Sequence, residues 1–240
     1  MKRIFLTVQY DGANYNGWQK QKDGTSIQGE IESAVFEVTG EIVDVEGSGR
    51  TDAGVSAIAQ VAHFDTESKI DAKRFAKALN TKLPDDISVL ESKECKKHAR
   101  FDVKKKTYIY QLYTSETRQP IIERTMGRVS FNLDIDKMKE EAKSFVGTHN
   151  FKSFCSTETQ AKEFVRTIYE FKVSRHGELY WFEVTGSGFL YNMVRIMVGT
   201  LVEIGMGKDL KIAEIIKAEN RTKAGKTMPA HGLMLKKVVY

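Results

Sequence analysis

Two strand-like runs, residues 164–174 and 178–185, are joined through Arg175-His176-Gly177-Glu178. A parallel connection needs a dozen or more residues, so a link this short forces the two strands to pair antiparallel. The first half of the chain has the same grammar. Residues 3–10 alternate, with Ile4, Leu6, Val8 and Tyr10 on one face, as in a strand with one face on a core. Extended segments near 42–48 and 59–65 flank a glycine-rich turn, and others follow near 87–97, 105–114 and 233–240. The expected class is α+β, with a central, mainly antiparallel sheet and helices flanking it.

Helices are expected between these strands. Thr25-Ser26-Ile27-Gln28 has the T-x-x-Q form of a capping box. Ile27, Ile31, Ala34, Val35 and Val38 recur at helical spacing, and Gly40 suits the position just past the end. A second helix near 71–82 is stopped by Pro84, and further helices are read near 135–146, 190–204 and 209–218. The pattern divides into two α+β units, 1–103 and 104–240. No linker rich in Pro, Gly or Ser parts them, so they are expected to share an interface, with the functional site in the cleft there.

At 240 residues, with 41% hydrophobic and 29% charged, the chain can bury an ordinary core, and disordered or collagen-like classes are excluded. Lys plus Arg exceed Asp plus Glu by 37 to 32, a mild bias toward polyanions. Cys95 and Cys155 are far apart and lack metal-ligand spacing, so they read as buried apolar fillers, and neither a disulfide framework nor a zinc site is expected. The five histidines show no metal or triad spacing. The N-terminal Met1-Lys2-Arg3-Ile4-Phe5 runs directly into a strand, and no apolar run is long enough to span a membrane; the expectation is a cytoplasmic protein with no membrane contact.

The sharpest local feature is Gly47-Ser48-Gly49-Arg50-Thr51-Asp52-Ala53-Gly54. Three glycines permit close backbone approach while the turn presents Arg50 and Asp52 from between two strands. Its spacing matches neither G-x-G-x-x-G nor a Walker loop, so a nucleotide-phosphate cradle is excluded. By spacing alone, a tight turn in which Asp52 bonds its neighbouring backbone and Arg50 is solvated is the favoured reading over a reactive aspartate.

The same residues, continued by Val55, resemble the signature of the tRNA pseudouridine synthase A family. Tyr10-Asp11-Gly12 with Tyr15 and Gly17-Trp18-Gln19, Ala99-Arg100-Phe101 with Thr107-Tyr108-Ile109-Tyr110, and Asn150-Phe151-Lys152-Ser153-Phe154 resemble further family blocks. So do Gly188-Phe189-Leu190-Tyr191-Asn192-Met193-Val194-Arg195 and Pro229-Ala230-His231-Gly232-Leu233. The blocks keep the family's order along most of the chain. The chain departs at Gly54-Val55-Ser56-Ala57, where the family usually has His at the position of Ser56.

The resemblance implies a two-domain pseudouridine synthase fold and a cofactor-free, metal-free isomerase with Asp52 as nucleophile. It also implies a homodimer that holds tRNA, with uridines 38 to 40 of the anticodon arm as targets. Arg50 matches the residue that takes the place of the flipped nucleotide or holds its phosphate. Tyr108 matches the active-site tyrosine, and Arg195 the arginine that pairs with the aspartate. Tyr108 and Tyr110 share a strand face, so at most one lines the pocket deeply. Attack by Asp52 at C6 of the base or at C1′ of the sugar are both compatible with these residues. Lys96-Lys97-His98 and Lys104-Lys105-Lys106 are the densest basic stretches, suited to RNA phosphates. Trp18 and the stripe Tyr191, Val194, Val198 and Leu201 read as core. A diverged paralogue acting on another RNA uridine and a non-catalytic RNA-binding protein are the alternatives.

Overall fold

The computed structural model describes residues 1–159 and 161–240. Its elements in chain order are β1 (Lys2–Tyr10), α1 (Ile27–Thr39), β2 (Glu46–Gly47), β3 (Ser56–Thr66), α2 (Phe75–Leu79), β4 (Ile87–Glu94), β5 (Lys105–Thr114), α3 (Pro120–Glu123), β6 (Gly127–Val129), α4 (Ile135–Ala142), β7 (Gly147–Asn150), β8 (Val165–His176), β9 (Leu179–Gly186), α5 (Met193–Gly205), α6 (Ile212–Ala218) and β10 (Leu233–Val239). The class is α+β, as the strand grammar requires. Two compact units emerge: residues 1–104 with 234–240, and residues 105–233.

In the first unit β1 lies between β4 and β3, antiparallel to both, with Ile4 opposite Phe64 and Leu6 opposite Ala62. β10 adds to β3 in parallel at Met234 and Leu235, an exception to the antiparallel rule. The alternation read in β1 holds: Ile4, Leu6, Val8 and Tyr10 are all buried. Phe5, on the opposite face, is buried too, stacked on His63 at 5.8 Å and edge-on to Tyr240 at 5.5 Å. Each such fully buried apolar side chain contributes roughly 1.5–3 kcal/mol.

The cap of α1 shifts by one residue from the expected box. Ser26, not Thr25, accepts the Gly29 N–H, at 3.2 Å, while Gly40 ends the helix in the left-handed region as expected. Gln28 is therefore no cap partner. Its amide instead accepts from Gln19 Nε2 at 2.6 Å and Lys20 N at 3.0 Å, and donates to Glu32 and Asp44. The expected strand near 42–48 shrinks to two residues because Val45 N donates to Glu32 Oε1, binding that segment to the helix rather than to a strand. Residues 71–82 form a 3-10 turn and then the short α2, ended where Asn80 uses its side chain to pair with both backbone groups of Val89.

The second unit is built on the antiparallel order β5-β9-β8-β7, with β6 parallel to β5. β8 returns into β9 through Gly177-Glu178, with Gly177 at φ 63°. Along β9 Tyr180, Phe182 and Val184 are buried while Trp181 between them is exposed. β5 is covered on both faces: Tyr108, Ile109, Tyr110, Leu112 and Tyr113 are all buried. α5 is buried around nearly its whole circumference, including Val194, Val198 and Leu201 of the expected stripe, but Tyr191 lies before the helix and is 40% exposed. Trp18 and Cys155 are buried as expected, whereas Cys95 is only half-buried. Among the described residues no helix is long and apolar enough to cross a membrane.

Candidate active site

In the first unit the glycine-rich turn is clamped from several sides, chiefly by backbone groups. Trp18 N donates to Thr51 O at 3.1 Å, Gly54 N to Tyr15 O at 3.3 Å, and Val55 N to Asp52 O at 3.1 Å. Ser48 N donates to Val61 O at 2.7 Å, and Gln60 spans the turn's mouth, accepting from Ser48 Oγ at 2.6 Å and donating to Gly49 O at 2.9 Å. The buried Tyr10 hydroxyl bonds the Thr51 hydroxyl at 2.8 Å. The Tyr10–Gln19 block thus serves as the bracket that fixes the conformation of the Asp52 turn.

Asp52 is half-buried at the end of this bracket, and Arg50 is exposed. Arg50 Nε donates to Gln19 Oε1 at 3.0 Å, and Gln19 in turn donates to the buried Gln28. This relay holds the planar guanidinium on a leash while leaving donors for a phosphate or a ring face for stacking. Gln19 and Gln28 went unread as site residues: Gln19 stood only as a member of the Gly17-Trp18-Gln19 block and Gln28 only as a capping-box partner, and a neutral amide carries no chemical signal of its own.

Tyr15 donates to Asp86, and burial, then the Asp86 carboxylate, push its hydroxyl well above the ordinary tyrosine range. It stays a neutral donor, a positioning group for the Gly54 backbone. Ser56 supplies a further link: its buried hydroxyl accepts the Gly12 N–H at 3.0 Å. Ser56→Ala leaves that N–H without its acceptor, so a loss of about 1–3 kcal/mol in unfolding free energy is expected in urea titrations.

In the second unit, Tyr108 sits on β5 opposite Val184, 8% exposed, with its ring edge-on to Phe189 at 5.1 Å. Tyr110, two residues on, is fully buried and donates to Pro229 O at 3.0 Å. Burial raises its pKa, with the nearby Arg195 charge pulling the other way. Tyr110 is thereby committed to packing. Phe189 was not singled out in the sequence; its only signal was membership of the Gly188–Arg195 block.

Arg195, in the first turn of α5, is half-buried and rigidly held. Its Nε donates to Met228 O and its Nη1 to Asn192 Oδ1, both at 2.6 Å, while Met228 N donates back to Arg195 O at 3.2 Å. Asn192 adopts a left-handed conformation, φ 59°, which starts the helix three residues later than expected and also lets its amide reach Ser156 Oγ at 2.9 Å. The 225–228 segment reaches Arg195 because it crosses α5 at Gly199, where a Cβ would lie 1.8 Å from Lys226 O. Asp52 and Arg50 thus belong to the first unit, Tyr108 and Arg195 to the second.

One cluster unread in the sequence could hold a metal by distance alone: Glu46, His63 and His98 bring their ligand atoms within 4.8 Å of one another. Its hydrogen bonds do not fit a metal. His63 Nδ1 accepts the Ala99 N–H at 3.2 Å, and His98 Nδ1 accepts the Arg100 and Phe101 N–H groups at 3.1 and 3.4 Å. Both neutral rings therefore carry their proton on Nε2, and that of His98 points to Glu46 Oε2 at 3.3 Å. A metal-bound histidine instead donates its second ring N–H.

The cluster is a pH-sensitive brace. Burial first, then the Arg3 and His98 charges, lower the pKa of His63, against weaker pulls from Glu46 and Asp65. The folded state thus resists a proton that the unfolded chain accepts below about pH 6.5. The contribution is complete above that pH and is lost as pH falls. His63→Gln is expected to flatten the decline of the urea midpoint between pH 7.5 and 5. The Asp65 carboxyl, held low by its Arg3 hydrogen bond, adds a loss only at more acidic pH.

Comparison with known proteins defines the class first. A family model described as tRNA pseudouridine synthase matches residues 6–102 and 142–240, and the chain belongs to that family of isomerases. More particularly, it is 46% identical to tRNA pseudouridine synthase A of Acetivibrio thermocellus, 47% to that of Brevibacillus brevis and 46% to that of Clostridium acetobutylicum, each aligned over 100% of both chains. Among solved structures, an archaeal box H/ACA Nop10-Cbf5 complex aligns with 96% of this chain and 46% of that chain at a TM-score of 0.39 and 12% identity, too loosely to carry an argument.

Proposed function

We propose that the protein converts uridine to pseudouridine in the anticodon arm of tRNA, at positions 38 to 40, with Asp52 as nucleophile. The observation that carries this reading is the clamped turn that holds a half-buried carboxylate beside an exposed, tethered arginine. In the reaction the N1–C1′ bond breaks, the base turns, a C5–C1′ bond forms, and the C5 proton leaves as N1 gains one. Nothing is oxidised and no group is imported, so the balance requires no cofactor.

In this reading Asp52 attacks C6 or C1′ and is released when the new bond forms. Arg50 fills the space of the flipped nucleotide or holds its phosphate. Tyr108, with Phe189 at its edge, stacks on the uracil, and Arg195 keeps the Asp52 carboxylate ionised by charge. The reading also takes the protein to be a cytoplasmic homodimer with tRNA bound across both subunits, by analogy with the family.

The test is tritium release from C5-labelled uridine in unmodified tRNA, followed by mapping of the modified positions. Release with pseudouridine confined to 38 to 40 supports the reading. Modification elsewhere favours the diverged paralogue, for which Ser56 is the observation at hand. Tight binding without release favours a non-catalytic RNA-binding protein.

A further inference from the structure

We propose that Phe101 is a stacking platform for an unpaired base of the RNA substrate, on a turn separate from the one that carries Asp52. This inference rests on the tRNA reading above and adds a contact to it. Phe101 is 73% exposed. A single exposed apolar residue means little. What distinguishes this one is how firmly it is held out and what surrounds it.

The turn is wound around His98. Its Nδ1 accepts both the Arg100 and the Phe101 N–H, the Asp102 carboxylate accepts the His98 N–H at 2.6 Å, and Asp102 N donates to His98 O at 3.2 Å. His98 itself is anchored through Nε2 to Glu46 and edge-on to the buried His63 at 4.6 Å. Four hydrogen bonds therefore fix a short exposed turn whose outermost side chain is apolar. The Phe101 ring leans on His98 at 4.4 Å between centroids, and the Arg100 guanidinium carbon lies 5.6 Å from its centroid.

The surroundings are cationic. Lys96, Lys97, Arg100 and Lys104 are exposed along this stretch, and the one acid within it, Asp102, is engaged in bracing the turn. An aromatic ring with a guanidinium beside it and lysines on either side matches the chemistry of single-stranded nucleic acid: a base stacks on the ring while the cations track the phosphates. An apolar protein partner would gain nothing from the lysines.

The test compares wild type, Phe101→Ala and Phe101→Trp in binding to unmodified tRNA, with melting curves to show each variant folded. Phe101→Ala is expected to weaken tRNA binding about 5- to 100-fold, the range for one stacked base. Phe101→Trp is expected to retain affinity and to show fluorescence quenching on tRNA addition beyond that of wild type. Unchanged affinity in Phe101→Ala, or no added quenching in Phe101→Trp, would overturn the proposal. A shift in sedimentation of Phe101→Ala with intact tRNA affinity would do the same, assigning the ring to a protein contact. Tritium release by the wild type, read separately, decides the catalytic reading whatever becomes of Phe101.

Discussion

Asp52→Asn is expected to lower tritium release from labelled tRNA by about 10³-fold or more, with tRNA affinity changed by less than about threefold. The substitution keeps the size and shape of the side chain and removes the charge that makes it nucleophilic. The fold of the turn should survive. Its clamps at Thr51, Gly54 and Val55 are main-chain hydrogen bonds, and those at Ser48 and Gln60 involve other side chains. Affinity should survive because most RNA binding energy comes from phosphate contacts, which a neutral amide leaves in place. Turnover equal to wild type would remove Asp52 from the role of nucleophile. A matched loss of affinity and turnover would instead make it a binding residue.

Much of this arrangement was legible in the sequence, for reasons that differ from residue to residue. The period-two pattern of β1 reports burial of Ile4, Leu6, Val8 and Tyr10 directly, because that face of the strand meets a core, and the short link between β8 and β9 fixes their antiparallel pairing. The glycine at the end of α1 was legible because the left-handed region favours glycine. The Asp52 turn stood out through its glycines, yet only the family resemblance separated a reactive aspartate from a structural one.

What escaped the sequence was set by contacts between distant segments. Thr25 and Ser26 are equally good caps, and the choice fell to Ser26 while Gln28 was engaged by Gln19 and Lys20. Glu46, His63 and His98 come from three separate segments, and no spacing rule relates them. Asn80 gives no sign in the sequence that it will spend its amide on Val89 and stop a helix. The bracket around Asp52 is of the same kind. Its members, Tyr10, Gly12, Tyr15, Trp18 and Gln60, carry no catalytic chemistry, and their task is visible only once their backbone and hydroxyl partners are known.

That bracket makes a second large effect predictable at a residue with no side chain. A Cβ on Gly12 would lie 2.2 Å from Val55 O and 2.5 Å from Val55 C. Both are main-chain atoms of the segment that leaves the Asp52 turn, so no flexible side chain can move aside. Gly12→Ala must therefore push residues 12 and 55 apart, which also lengthens the Gly12 N–H to Ser56 Oγ bond and strains the Val55 N to Asp52 O bond. Overpacking of this kind costs about 1–3 kcal/mol, and losing the buried N–H partner adds about 1–3 kcal/mol more. Urea unfolding should report that combined loss. The turnover of the fraction that remains folded should fall by about 10²-fold or more, because a displacement near 1 Å at the nucleophile is enough to lose productive geometry. Ser56→Ala separates the two causes. It removes the hydrogen bond without the clash, so it should lower stability while leaving most turnover intact. Equal losses of turnover in the two variants would show that the hydroxyl of Ser56, rather than the close backbone approach at Gly12, sets the position of Asp52.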